Sequence, residues 1–558
     1  MDNLRLILFF TLAFLGLLLY QAWMQDYGKK PEQVSQQTSA QSAPASVQEQ
    51  AGAGVPNAAV TPGKGQEVEL GKPTQVNTGN PALNGEVIKV ETDLLRLEIS
   101  SRGGTVIRAD LLKYPVSLKT PEVKFELLSP APEKLFIAQS GLIGVKGSKT
   151  PTHEALYHFA KGSYRMAEGQ RVLTVSMDWS DGAGEKVVKK YIFHRGSYLI
   201  DVRYEITNES KKDWSVREYG QLEHGQVESG KGFASRSYTG GVYYTPTDKY
   251  EKLKFKDMGK GQPGVDSDHV WIAMIQHYFF SAWIPPKQQK EHIYSNNLPG
   301  PKFILGSMSP TFTIPAEGSK ELQRQLYIGP KLQDQLEKIA DGLELTVDYG
   351  WLTVIAKPIF WLLKTIHNFV GNWGWAIIIL TIIIKAAFFK LSETSYKSMA
   401  NMRKFTPRLQ ALKDRYGDDK QRLNQAMMEM YKKEKINPLG GCLPIVVQIP
   451  VFIALYWVLL ESVELRQAPF ILWIDNLSAK DPYFILPLIM GVSMFIQQKL
   501  NPAPPDPMQA KMMMALPFIF TVFFAFFPAG LVLYWVVNNI ISITQQWYIT
   551  RKIEQGAK

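Results

Sequence analysis

The sequence predicts a membrane α-helical bundle, an N-terminal anchor plus a five-helix core, that carries an exported antiparallel β-sandwich domain and a cytoplasmic helical hairpin. Three observations predict it. Apolar residues are unevenly gathered: residues 373–392, 444–460, 483–498 and 513–548 are dense in Ile, Leu, Phe, Val and Met and contain no Asp, Glu or His. A spanning helix needs about 20 mostly apolar residues to cross roughly 30 Å of hydrocarbon, and the last stretch is long enough for two. Between residues 86 and about 326 the apolar residues recur instead with period two, the mark of half-buried strands. Finally, the net charge of +11 is localised: from Trp351 onward there are 22 Lys+Arg against 12 Asp+Glu, a difference of +10. A basic excess in the membrane half points to the inner-leaflet surface before nucleic acid.

The elements follow in order. Residues 1–23 contain the run LRLILFFTLAFLGLLLY behind one Arg. Tyr20-Gln21-Ala22-Trp23 offers no small-x-small cleavage site, so the run reads as an uncleaved signal anchor rather than a signal peptide. Residues 24–85, rich in Gln, Ser, Ala, Pro and Gly, cannot bury enough apolar surface to offset ordering entropy and read as a flexible linker. Residues 86–330 hold runs such as RVLTVSMDWS, KVVKKYIFH and YLIDVRYEIT between Gly, Asp-Gly and Pro clusters, with a turn at Gly103-Gly104; they predict the β-sandwich. The single cysteine, Cys442, allows no intrachain disulfide, so that domain rests on its core. Residues 331–372 predict connecting and interfacial amphipathic helices, with Trp351, Ile355, Ile359, Leu362, Leu363 and Ile366 near one face.

Spans are expected over 373–392, 438–463, 483–498, 512–527 and 530–549, with a cytoplasmic tail over 550–558. Residues 393–437 carry 11 Lys+Arg against 6 acids, whereas 464–482 carry Arg466 and Lys480 against three acids. The positive-inside rule therefore puts 393–437 and both termini in the cytoplasm and the large domain outside. Within 393–437, two helical patterns flank Gly417-Asp418 and predict the hairpin. Its Met399, Met402, Met427, Met428 and Met430 pack the hairpin on itself or offer an adaptable docking face.

The chain lacks a G-x-x-x-x-G-K-[ST] loop, H-E-x-x-H and G-x-S-x-G, so nothing points to an enzyme, a cofactor or a metal. His153, His158, His194, His224, His269, His277 and His292 stand at no ligand spacing. The apolar stretches hold no carboxylate or histidine of the kind that proton-coupled transporters use, and Glu461 and Glu464 lie at an outer end.

What stands out is Lys385, in TIIIKAAFFK. It lies 12 residues past Trp373, about 18 Å down a helix of 1.5 Å rise and past the midplane. Either its stem snorkels toward the level of Lys390, or it faces a wet cavity in the bundle. Thr381 shares its face. Gln448, Ser493, Gln497, Asn538, Asn539, Ser542 and Thr544 lie in the other spans, and Pro444, Pro450, Pro487, Pro517 and Pro528 free backbone carbonyls that need partners. Each polar group alone reads as a helix–helix hydrogen bond; together they could line a hydrated cleft.

The stretches FVGNWGWAIIILT, GDDKQRLNQAMMEMYKKEKINPLGGCLPIVVQIPVFIALY, SVELRQAPF, DPYFILP and FPAGLVLYW resemble those of the YidC/Oxa/Alb family of membrane-protein insertases, in the Gram-negative form with a large periplasmic domain, and the resemblance covers essentially the whole chain. It implies a sandwich of the sugar-mutarotase type without catalysis, and a five-helix core with a hydrophilic groove open to cytoplasm and lipid but closed outside. The groove residues it implies are Lys385, Thr381, Gln448, Tyr534 and Trp535, and the apolar slide Ile449, Val451, Phe520, Phe523 and Phe524. The usual Arg of the groove is Lys385 here, which keeps the charge but loses the planar fork. The implied partners are nascent membrane proteins, the Sec translocon, the ribosome and anionic lipids, without direct nucleic-acid specificity. A polytopic assembly scaffold without a groove is the alternative.

Overall fold

The computed structural model describes residues 85–144, 148–226, 238–258, 263–416, 419–433, 443–501 and 507–555, with Pro56 and Lys260 besides. The expected anchor over 1–23, nearly all of the linker over 24–85, the Gly417-Asp418 break and Cys442 lie outside the described residues.

Strands begin at Val87 and end at Pro330 in two large sheets, one of eleven strands and one of eight. The alternation that predicted them is visible in single strands. Along Val172–Ser180 the residues Leu173, Val175 and Met177 are buried while their neighbours are more exposed, as the two-residue side-chain period requires. The pairing is antiparallel with one exception: Val87–Glu91 runs parallel to Ser163–Arg165. One core joins both sheets, with Ile200, Val202, Tyr204 and Leu326 from one and Leu97, Ala138 and Val216 from the other. The sheets approach closely at Gly220, where a Cβ would meet the Trp283 ring at 2.8 Å and the Arg324 guanidinium at 2.9 Å. At that crossing Trp283 Nε1 donates to Gln221 O at 3.0 Å.

Two buried cations sit in this core. Arg324, from the eight-stranded sheet, reaches Glu218 (Nε to Oε1, 3.0 Å) and Glu291 (Nη2 to Oε1, 3.6 Å) in the other. Burial raises both carboxyl pKa values, and the guanidinium opposes that rise. Lys189 donates to Gly103 O (2.8 Å) and Ser140 O (3.1 Å), with its ammonium over the rings of Tyr191 and Tyr204; burial drives its pKa far down. Gly103 and Gly104 both have positive φ, so the expected turn also aims carbonyls at this lysine. Among the described residues no three His, Cys, Asp or Glu side chains cluster as metal ligands.

The remainder is helical. Helix α1 is Gln333–Ile339 and α2 is Thr353–Val370. The inward face of α2 is Ala356, Phe360, Leu363 and Ile366. The expected stripe is therefore rotated: Ile355, Ile359 and Leu362 flank the buried face, and Trp351 is 83% exposed. The reason is that the helix packs through the Leu352–Ala356–Phe360 ridge, an i, i+4, i+8 row, and Trp351 stands one residue off it. Gly371 (φ +67°) ends α2 in the left-handed region that favours glycine. Asn372 then caps α3, Trp373–Ala387, its Oδ1 accepting from Gly374 N and Trp375 N at 2.9 and 3.2 Å.

Helix α3 does not run straight through 373–392. It meets α4, Phe389–Lys404, at a bend of 66°. Hydrogen bonds Phe388 N to Ile384 O and Ser392 N to Phe388 O carry across the bend. The first of the two helices expected within 393–437 is likewise broken: α4 ends before Phe405 and α5, Thr406–Tyr416, begins after it. Pro407 lacks the N–H that a continuous helix would bond there. Helix α6, Lys420–Lys433, packs on α5, and α7 (Leu443–Glu461), α8 (Ile485–Leu500), α9 (Pro507–Phe524) and α10 (Ala529–Gln555) complete the chain.

Among the described residues no single helix is both long and apolar enough to cross a membrane, though α3 and α4 together meet that measure. Outward faces of the helical half are nonetheless oily: Leu488, Val492 and Ile496 on α8 and Phe518 and Val522 on α9 are exposed at spacings of four. Continuous apolar surface of this kind needs a non-aqueous neighbour.

Candidate functional site: a lysine-centred recess in the helical core

Lys385 lies in the last turn of α3, where unsatisfied carbonyls favour a cation. It does not point outward: the residue is 7% exposed, so the snorkelling alternative does not describe it. Its Nζ donates to Ser542 Oγ of α10 at 2.7 Å and to Gln448 Oε1 of α7 at 3.4 Å. Among the described residues no carboxylate lies within 4 Å of it. An ammonium has three donors, so two partners leave one for a guest.

The partners are themselves fixed. Ser542 Oγ donates to Asn538 O at 2.7 Å. Gln448 Nε2 donates to Tyr534 OH at 3.2 Å and to Asn538 Oδ1. Tyr534, Asn538 and Ser542 follow one another at i, i+4 and i+8, so α10 presents one polar row to the α3 lysine and the α7 glutamine. Beside Lys385 opens a small recess lined by Ile384, Lys385, Phe388, Ser392, Val447 and Gln448 among others. Two of those side chains come from the bend between α3 and α4, Phe388 at it and Ser392 beyond it.

The residues singled out from sequence divide into groups. Lys385, Gln448 and Tyr534 belong to one network. Thr381 is fully buried one turn before Lys385, and its hydroxyl donates to Ile377 O of its own helix at 2.7 Å. Trp535 turns away from Tyr534 and packs on Phe452 and Phe524, with centroids 4.6 and 5.2 Å apart. Of the apolar set, Ile449 and Phe523 are exposed and Val451 and Phe520 half-buried. Phe524 departs from an outward slide: it is 3% exposed, inside a cluster with Phe452, Phe527 and Trp535. It lies about 100° around α9 from Phe523, which turns it toward α7 and α10.

Asn538 and Ser542, named from the sequence among the polar residues of the spans but not among the groove residues that the resemblance implies, are members of this network. Their signal was the four-residue spacing from Tyr534. Asn539 and Ser493, polar candidates in the spans, make a separate bond of 2.9 Å between α10 and α8, and Thr544 is bonded to Ile540 O of its own helix.

Comparison with known proteins agrees with this architecture. Residues 87–362 match the family described as the YidC periplasmic domain, and residues 365–556 the family described as 60Kd inner membrane protein. The chain is 54% identical over 558 residues to a membrane protein insertase YidC of Methylococcus capsulatus, covering all of this chain and 99% of that one. It is 50% identical to a namesake from Thioalkalivibrio sulfidiphilus and 51% identical to one from Nitrosococcus oceani, each over the full length of both chains. A β-rich domain followed by a helical region, matched end to end at such identity, shows that the chain belongs to the YidC/Oxa/Alb family of multi-pass inner-membrane proteins.

Proposed function

We propose that the chain inserts hydrophobic helices into the inner membrane and helps them fold, through the recess at Lys385. The single observation that carries this reading is an ammonium without a carboxylate partner, held inside the helical core by Ser542 and Gln448 beside an open recess. A lone interior cation bonded to neutral polar groups is suited to receive a polar or acidic segment transiently. A nascent segment reaches the hairpin of α5 and α6, its polar flank enters the recess, and Lys385 with the α10 polar row replaces part of its water. The flank then crosses only the remaining outer part of the bilayer. The membrane potential, roughly 2.3 kcal/mol per charge per 100 mV, drives acidic flanks outward. The hydrophobic helix leaves sideways along the exposed faces of Ile449 and Phe523, where transfer to lipid is favourable.

No bond is made or broken in this scheme, so it needs neither a catalytic residue nor a cofactor. In this reading an N-terminal anchor accompanies a five-helix core, with the hairpin and both termini in the cytoplasm. The Sec translocon and the ribosome are partners in this reading, and anionic lipid meets the basic residues of 393–437.

Access to the recess tests it. In a Cys442→Ser background, a cysteine at Gln448 reacts with a membrane-impermeant thiol reagent from the cytoplasmic side only. A scaffold with a dry core predicts no labelling from either side, and a small-solute transporter predicts labelling from both.

A further inference from the structure

Strands Val106–Ser117 and Thr120–Leu128 form a long hairpin, and among the described residues the second of them pairs with no strand but the first. Free edges of this kind are normally blunted by charge or proline, and Lys119, Pro121 and Lys124 serve that purpose here. The tip does something more. Val116, Leu118 and Val123 are 52%, 46% and 50% exposed, three aliphatic side chains within eight residues at the hairpin turn. Lys113 and Lys119 flank them, both exposed.

The position of the tip is fixed by the membrane core. Arg466 Nη2 donates to Pro115 O at 2.8 Å, and Gln467 Nε2 donates to Val116 O at 3.0 Å and to Pro115 O at 3.3 Å. The Arg466 guanidinium also lies over the rings of Phe125 and Phe279, 5.8 and 5.5 Å from their centroids. Arg466 and Gln467 belong to the connection between α7 and α8. That connection rests on the outer helix ends: Asn372, the cap of α3, donates to Phe470 O at 3.1 Å, and Gly530 N, at the start of α10, donates to Leu477 O at 2.9 Å. Hydrogen bonds therefore hold the hairpin turn at the height of the periplasmic helix ends, the level of the lipid headgroups.

We propose that the tip of this hairpin is a lipid-binding finger of the periplasmic domain. Val116, Leu118 and Val123 dip to the headgroup–acyl boundary of the outer leaflet, and Lys113 and Lys119 meet lipid phosphates. Apolar side chains ringed by lysines match that boundary in chemistry, and the occupant is lipid because the anchoring carbonyls stand at the bilayer surface. The inference does not depend on the insertion route through Lys385.

The test uses the full chain, purified and reconstituted alone into vesicles of phosphatidylethanolamine and phosphatidylglycerol, in a Cys442→Ser background. A polarity-sensitive fluorophore is placed at Leu118→Cys, at Val123→Cys on the opposite strand, and at Val172→Cys on the edge of the far sheet. With iodide on both sides of the bilayer, the two hairpin labels are expected to be quenched several-fold more slowly than the Val172 label. A nitroxide high on the lipid acyl chain is expected to quench the hairpin labels and not the Val172 label. Equal iodide quenching at all three positions overturns the proposal. So does protection at the tip that rises with the protein-to-lipid ratio without lipid-borne quenching, since a second copy would then be the occupant.

Discussion

Removing the charge at Lys385 while keeping its bulk separates electrostatics from packing. Lys385→Met preserves the stem and loses the bonds to Ser542 Oγ and Gln448 Oε1, while both partners stay held by the bonds they donate, Ser542 Oγ to Asn538 O and Gln448 Nε2 to Tyr534 and Asn538. A carboxylate held about 4 Å from the ammonium gains about 1 kcal/mol at the dielectric of water and about 4 kcal/mol at an effective value near 20. The recess is open yet its lysine is 7% exposed, which places the gain between these limits, above about 1.4 kcal/mol, or tenfold in rate. The assay is insertion of a short single-span substrate into vesicles containing only this chain, with one Asp in the flank or with Asn in its place. Lys385→Met should slow the Asp substrate about tenfold or more and the Asn substrate much less. Lys385→Arg should retain the preference, and Lys385→Ala should resemble Met. The difference between the two substrates is the coupling energy. Equal loss on both substrates, or no loss on either, refutes a role for the charge in receiving the flank.

Two further predictions concern the β-domain. Arg324→Met leaves Glu218 and Glu291 buried without their cation and should cost about 3–5 kcal/mol in urea unfolding followed by tryptophan fluorescence. Both carboxyl pKa values are already raised by burial. A raised folded pKa means the native state holds protons that the unfolded chain releases, so the variant should recover stability as the pH falls back toward the ordinary carboxylate range; a loss independent of pH argues against buried carboxylates as the cause. His153 is displaced the other way, to about 4, by burial and then by the nearby Lys189, with its Nδ1 2.6 Å from Tyr219 OH. Its contribution is complete above the unfolded value near 6.5 and is lost as the pH falls through about 4, amounting to at most about 3 kcal/mol. His153→Gln should therefore flatten part of the acid limb of stability between those values, and an unchanged limb counts against it.

How far the sequence reached differs between the halves of the molecule. The two-residue alternation of strands such as Val172–Ser180 is written directly in residue order, because a strand exposes its period locally. Sheet membership is not. The parallel pairing of Val87–Glu91 with Ser163–Arg165 and the meeting of Arg324 with Glu218 and Glu291 join residues 70 or more positions apart or on facing sheets, and no local period reports that. In the helical half the caps were readable: Gly371 and Asn372 stop one helix and start the next for reasons of φ and side-chain chemistry. The α3–α4 bend at Phe388 carries no proline or glycine to announce it.

By itself the sequence determined that a charge would stand in an apolar run at Lys385, that polar residues would recur in the other spans, and that strands would precede helices, because each depends on residue type and spacing alone. Only the tertiary structure decided which polar residues would meet. Gln448 and Ser542 share the ammonium, Thr381 is bonded to its own helix, Trp535 joins the aromatic cluster and Phe524 is buried. The physical reason is that rotation about a helix axis sorts adjacent residues by about 100° each, and the packing of α3 against α2 and α10 sets that rotation.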